Sequence, residues 1–266
     1  MLNVSRSGYY AWRKRPLSKR ERSNQELLGM IQKVFQTSRR TYGSPRIHEY
    51  LRCRGFVCGH NRVARLMRLH KVVARASQRR YPITTQREPG AIPAPNLLKR
   101  DFSAEKPNQK WVTDITYIDT AEGWLYLASV MDLYSRKIVG WAMSDQIDSS
   151  LTASALQMAR ITRSPRVGLI HHSDQGRQFT SAAYQQILKA MGCQVSMSSV
   201  GNCYDNAVME SFFATLKTEC VTEQYASRDE ARRTIFDYIE GWYNRQRMHS
   251  ALGYHSPIEF ELLSGH

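Results

Sequence analysis

Three carboxylates stand out by where the sequence puts them. Asp114 lies inside Trp-Val-Thr-Asp-Ile-Thr-Tyr-Ile, residues 111–118, among β-branched and aromatic neighbours. A carboxylate in so apolar a strand is costly unless it is paired, hydrogen-bonded or bound to a metal. Asp174 follows Ile-His-His-Ser, and Gly176 two residues on permits a tight turn, so this acid projects from a strand end. Glu210 comes one helical turn after Asn206. Each has a plain reading alone: Asp174 as a turn residue, Glu210 as a surface helix residue. Together they occupy a mid-strand, a strand end and a helix that follows a polar loop, and can converge at one sheet edge. Such a set suits hard divalent cations, because Mg²⁺ takes oxygen ligands and leaves positions for phosphate oxygens. Two such ions about 4 Å apart can activate an attacking oxygen and stabilise a leaving one at a phosphodiester.

The elements that must position these acids follow from pattern. Residues 111–118, 124–131 and 137–143 read as three strands of an antiparallel meander, with Gly123 and 132–135 in the turns. Ser149 or Ser150 caps a helix whose Leu151, Ala155, Met158 and Ala159 share a face. Residues 167–171 form a fourth strand, 181–191 a helix closed by Gly192, and 193–197 a fifth short strand. After a loop over 198–204, Asp205 or Asn206 caps a helix through Lys217 that buries Met209, Phe213 and Leu216. The fold class is α/β, a mixed sheet flanked by helices.

Charge separates this body from what precedes it. The 266 residues carry 38 Lys plus Arg against 23 Asp plus Glu, a net of +15. Residues 1–80 hold 20 and 3 of these, a net of +17, which leaves −2 for the rest. That split predicts a nucleic-acid-binding head on a near-neutral body. In the head, Leu27, Ile31 and Phe35 recur every four residues. Ser44 and Pro45 open a second helix, which Gly55 stops, and Asn61 opens a third. The third carries Val63, Leu66 and Met67 on one face and Arg62, Arg65 and Arg68 on another, a small all-α helix-turn-helix layout. Those arginines either read bases in the major groove or hold only phosphates or a neighbouring domain. Cys53, Cys58, His48 and His60 lack zinc-ligand spacing, and core packing is the better reading. Pro82, Pro89, Pro93 and Pro95 mark a linker. The domains read as a basic head at 1–80, a linker at 81–106, a catalytic core at 107–225, and a C-terminal helix and tail at 226–266 packed on the core. No apolar run spans a bilayer, there is no signal-peptide core, and five Cys fit a reducing, cytoplasmic setting.

The residues also resemble a known family. Thirty-five residues separate Asp174 from Glu210. The body looks like the Asp-Asp-Glu catalytic core of retroviral-integrase-like transposases, which have an RNase H-like fold. Further matching strings are Val4-Ser5-Arg6-Ser7-Gly8-Tyr9-Tyr10, Tyr42-Gly43-Ser44-Pro45-Arg46-Ile47, His172-Ser173-Asp174-Gln175-Gly176, Asp205-Asn206-Ala207, Tyr243-Asn244-Arg245 and His249-Ser250-Ala251-Leu252-Gly253-Tyr254. Together they are similar to the second-reading-frame transposase of two-frame bacterial insertion sequences. Gln175, Arg177 and Met248 depart from that pattern without removing a carboxylate.

The resemblance implies that Asp114 bridges two Mg²⁺ ions, with Mn²⁺ able to substitute, while Asp174 and Glu210 each hold one. It implies that water cuts the element's end, freeing a 3′-hydroxyl that attacks a second phosphodiester. It implies double-stranded DNA as partner (element ends and target), self-association on that DNA, a first-frame protein of the same element, no membrane, and a place at the bacterial nucleoid. Arg46, Asn61, Arg62, Arg65 and Arg68 are the candidate DNA contacts of the head. Lys217, two turns beyond Glu210, either grips a phosphate beside the metals or is an ordinary solvated lysine. The competing functions are a nuclease that cuts without joining, and a DNA-binding regulator with an inert body.

Overall fold

Helix termini in the N-terminal unit are set by small polar residues and glycine. In the structure, a computed structural model that describes residues 5–75, 94–198 and 203–265, the chain divides into two units, Met1–Arg75 and Ala76–His266. Helix α1 (Arg6–Arg13) is capped by Ser5, whose hydroxyl accepts from the Gly8 N–H, and buries none of its side chains. Helix α2 (Lys19–Thr37) opens on a capping box, Ser18 with Glu21, and buries Leu27, Ile31, Val34 and Phe35. Helix α3 (Ser44–Cys53) contributes Ile47 and Leu51; helix α4 (His60–Leu69) contributes Val63, Leu66 and Met67. These side chains make the unit's core, with each of α2, α3 and α4 touching the other two.

Two sequence expectations need correction here. Gly43, not Ser44, is the N-cap of α3. The Ser44 hydroxyl instead meets His60 Nε2 at 3.3 Å, tying the start of α3 to that of α4. Cys53 is exposed at the end of α3 rather than packed in a core. His48 Nε2 donates to the Cys58 carbonyl at 3.0 Å, so this histidine secures the turn between the two helices.

In the second unit, β1 (Lys110–Ile118), β2 (Leu125–Asp132) and β3 (Ile138–Ser144) form the expected meander, and β4 (Ile170–Ser173) and β5 (Gln194–Met197) extend it. The order is β3-β2-β1-β4-β5. β1 pairs antiparallel with β2 and parallel with β4, so the strand carrying Asp114 is central. Helix α5 (Ser149–Arg163), the single turn α6 (Arg177–Thr180) and helix α7 (Ala182–Ala190) lie over one face. Between them and the sheet is a core of Trp111, Val130, Val139, Leu156, Phe179, Tyr184 and others. The cap of α5 is Asp148, not Ser149 or Ser150, because its carboxylate takes both the Leu151 N–H at 3.0 Å and the Ser150 hydroxyl at 2.8 Å.

The contact of α5 with β3 depends on Gly140. A Cβ built there would lie 2.2 Å from the Ala155 carbonyl oxygen and 2.6 Å from the Ala159 nitrogen. Backbone cannot yield as a side-chain tip can. Gly140→Ala is therefore expected to lower stability by about 1–3 kcal/mol, through overpacking. A urea unfolding midpoint equal to that of the parent would contradict this contact.

Helix α8 (Ala207–Glu219) packs along β1 and buries Met209, Phe212, Phe213 and Leu216. Helix α9 (Arg228–Phe236) runs into a π-helical stretch, Asp237–Tyr243, whose Tyr238, Trp242 and Tyr243 are buried. There Glu219, at the end of α8, accepts from Arg247 Nε and Nη2 at 2.8–3.0 Å, with Tyr238 Oη at 3.0 Å. Helix α10 (Pro257–Leu263) is held through Glu261, which meets Arg163, Ser135 and Lys137. Arg163 also binds Asp132, which is fully buried rather than a plain turn residue.

Both edge strands are engaged by nearby chain. Asn244 donates to the Ile138 carbonyl and accepts from its N–H, on the outer strand β3. At the other edge, Met197 N–H reaches the Pro95 carbonyl, and Ser196 Oγ accepts from the Leu97 N–H. Residues 94–106, expected at the end of a linker, thus lie against the core, and Leu98 is buried. Pro82, Pro89 and Pro93 lie outside the described residues.

Candidate active site

Strand register brings the first two acids together. In the parallel ladder Val112 stands opposite His172. Asp114 and Asp174 each come two residues later, just beyond the last paired positions, so both sit where β1 and β4 part. Each carboxylate is steadied by backbone. Asp114 Oδ1 accepts from the Ile115 N–H at 2.8 Å, and Asp174 Oδ1 from the Gly176 N–H at 2.9 Å.

The third acid arrives on α8. Asn206 occupies the N-cap position but makes no side-chain cap. Its Nδ2 instead donates to the Thr113 carbonyl at 3.2 Å, fastening the start of α8 one residue from Asp114. Next to it, buried Asp205 accepts from Asn96 Nδ2 at 2.9 Å and Arg100 Nε at 3.4 Å. Sequence reading identified the Asp205-Asn206 pair only as a cap and a motif. Its role as a double anchor rests on partners 93 and 105–109 residues away, which leave no local signal.

Electrostatics unite the three. Burial pushes the Asp114 carboxyl well above its ordinary value, Asp174 adds to that, and Glu210 adds further; the Ile115 N–H and Lys217 oppose it. The surrounding protein lifts Glu210 as well. Lys217 is half-buried, with its ammonium 4.3 Å from the centre of the Tyr117 ring. Burial lowers its pKa and Asp114 raises it in part, so it is not an ordinary solvated lysine. All three acids offer hard oxygen donors, and their mutual repulsion is what a cation would relieve. The donor chemistry therefore fits a divalent ion. The spacing is open: among the described residues no three His, Cys, Asp or Glu side chains close into a metal-binding group.

His171 and His172, neighbours on β4, point to opposite sides and are buried. His171 Nε2 meets Tyr184 Oη at 3.1 Å, and burial lowers its pKa to about 3. His172 bridges Ser196 and Ser198 at 2.8 and 3.1 Å, and its pKa falls to about 4 for the same reason. Both are neutral struts. A cavity of about 990 Å³ lies at the other end of the sheet, around Lys106, Arg166 and Ile170 at the starts of β1 and β4, away from the acids.

The candidate DNA contacts divide. Asn61, Arg62 and Arg65 share one concavity in the N-terminal unit. Arg62 does not extend outward: its guanidinium is held by Asn24 and Ser23 of α2, each at 2.8 Å. Arg68 is exposed outside that concavity, and Arg46 lies against the Tyr42 ring at 5.6 Å. Lys217 belongs to the other unit, beside Asp114.

Comparison with known proteins gives the chain's family and fold. The integrase core domain family matches residues 104–203, and a second integrase core family matches 191–257. An HTH-like domain family matches residues 22–81. Transposase InsF for insertion sequence IS3A of Escherichia coli (strain K12) is 44% identical over 264 residues, covering 98% of this chain and 91% of that protein. An uncharacterized 31 kDa protein of insertion element IS600 from Shigella sonnei is 43% identical over 261 residues, covering 98% and 96%. In fold, the chain is similar to one in the simian T-cell lymphotropic virus intasome, with a TM-score of 0.51 and 14% identity, covering 87% of this chain and 74% of that one.

Proposed function

Because the chain belongs to the insertion-sequence transposases, enzymes of DNA transposition with an integrase core and an HTH-like domain, we propose that Asp114, Asp174 and Glu210 are the carboxylates of its polynucleotidyl transfer. One observation carries this reading: Asp114 and Asp174 each stand two residues beyond the Val112–His172 pair, where β1 and β4 part, and Asn206 fastens the start of Glu210's helix to Thr113, next to Asp114. The three residues would hold Mg²⁺, two ions by the chemistry of in-line displacement. When bound, the metal supplies Lewis acidity to phosphate oxygens and a nucleophile at neutral pH.

The chain's own residues do the rest. Ile115 and Gly176 N–H groups fix the orientation of the two aspartates, and Asn206 sets the distance of Glu210's helix from them. Lys217, resting on Tyr117, offers its ammonium to a phosphate beside Asp114. The basic head supplies attraction for double-stranded DNA, at the element ends and at the target. Self-association on DNA and a first-frame partner belong to the same reading, as does work at the nucleoid in the cytoplasm. Among the described residues no helix is long and apolar enough to cross a membrane.

The test uses duplex oligonucleotides carrying the element's end sequence. Mg²⁺ or Mn²⁺ is expected to give cleaved and joined strands, and chelation to stop both. Cleavage without joined product would indicate a nuclease; DNA binding without either would indicate a regulator.

A further inference from the structure

A cavity of about 510 Å³ opens on the N-terminal unit, lined by Arg20 and Ser23 of α2 and by Asn61, Arg62 and Arg65 of α4. Its wall holds three guanidinium groups and no carboxylate. Glu21, the acid beside Arg20 in sequence, is committed to the Ser18 N–H at 2.8 Å.

The three arginines are not equivalent. Arg62 is fixed in place: Nε donates to Asn24 Oδ1 and Nη2 to Ser23 Oγ, both at 2.8 Å. Those bonds use two of five N–H donors and hold the planar group against α2. Arg20 and Arg65 are exposed and flank it. Neither forms an ion pair among the described residues. The first turn of α4 forms part of the wall, and its N-cap, Gly59, brings no side chain to satisfy the helix's positive end. A guanidinium held in advance, with two exposed ones beside it, matches the fork geometry that a phosphate accepts. A base edge deep in a groove requires an arginine that reaches away from its scaffold, and Arg62 is turned back onto α2.

We propose that this cavity is the seat of one phosphodiester of duplex DNA, with Arg62 as the fixed clamp and Arg20 and Arg65 closing over the phosphate. The proposal rests on the reading of the head as DNA-binding, and makes Arg62 a positioning contact without sequence choice.

The test measures full-chain binding to two duplexes, an element end and an unrelated sequence, across a range of salt. Arg20→Gln and Arg65→Gln should each weaken both complexes alike, by about fivefold at 0.15 M salt, and reduce the salt slope by about 0.9. The double variant should lose no more slope than either single one, since one phosphate is shared. Asn24→Ala, outside the cavity wall, should weaken both complexes too, because it releases Arg62. An Arg65→Gln effect confined to the element-end sequence would mean base reading and overturn the proposal. So would unchanged affinity in Arg20→Gln. Tight binding of inorganic phosphate, with the variants unchanged on DNA, would assign the cavity to a free anion and also overturn it. If the parent chain shows no salt-dependent DNA binding at all, the reading of the head itself fails, an outcome the variants do not mimic.

Discussion

Asp114→Asn is expected to abolish Mg²⁺-dependent cleavage and joining while leaving DNA affinity intact and raising thermal stability. Asparagine keeps the shape and can still accept from the Ile115 N–H through its Oδ1. It removes the charge that would bind the metal. The loss should be at least about 1,000-fold, or about 4 kcal/mol of transition-state stabilisation. Stability should move the other way, because a buried carboxylate facing Asp174 and Glu210 opposes folding. The sign with pH follows. A carboxyl whose pKa is raised in the folded state favours folding most when protonated, and loses that contribution as pH rises through its folded value. The stability gain of Asp114→Asn should therefore grow with pH. Parent activity should rise over the same interval, since the ligating form is the charged one. Oligonucleotide assays and thermal melts between pH 5 and 9 measure both. Full activity in Asp114→Asn would end the assignment of the three acids.

Arg247→Ala should cost about 3–5 kcal/mol, enough to threaten folding of the whole second unit. Arg247 and Glu219 are both buried, and their side chains make a two-pronged contact at 2.8–3.0 Å. Truncation leaves the Glu219 carboxylate inside the protein with, among the described residues, Tyr238 and Trp242 as its remaining donors. The same pairing raises the pKa of Arg247 further, so no ordinary pH relieves it. Replacing both partners, as in Glu219→Leu with Arg247→Met, should recover most of the loss, because the isolated charge is gone. Urea denaturation of the two variants decides this. If Arg247→Ala unfolds at the parent's midpoint, the pair does not hold α8 to the tail.

What sequence revealed and what it hid divide along a physical line. Leu27, Ile31 and Phe35 were legible because a helix's period is local, and Asp114 because a charge interrupts an apolar strand. Asp174 and Glu210 were singled out on other grounds, a strand end beside Gly176 and a helix after a polar loop. Caps were misplaced by one or more residues at Ser44 and at Ser149 or Ser150. Several small polar residues adjoin each terminus, and only geometry selects among them. The tie of Arg62 to Ser23 and Asn24 spans 38–39 residues, and that of Asp205 to Asn96 and Arg100 spans 105–109. Pairings so distant have no period to reveal them. The tail at 226–266 was expected to pack on the core, and Trp242, Tyr243 and Arg247 are buried there, while Arg245 is exposed.

Asn244 and the Pro95–Leu97 segment have an effect on what this protein can join. An open sheet normally offers its outer strands as templates to any passing chain. Here a side-chain amide imitates a neighbouring strand at Ile138, and a length of main chain sits beside Ser196 and Met197. At both positions the hydrogen bonds that a newcomer would take are already spoken for. A second chain therefore cannot add a strand at those positions. The same two plugs guard against fibre growth by strand addition, a useful property in a protein that concentrates on a polymer.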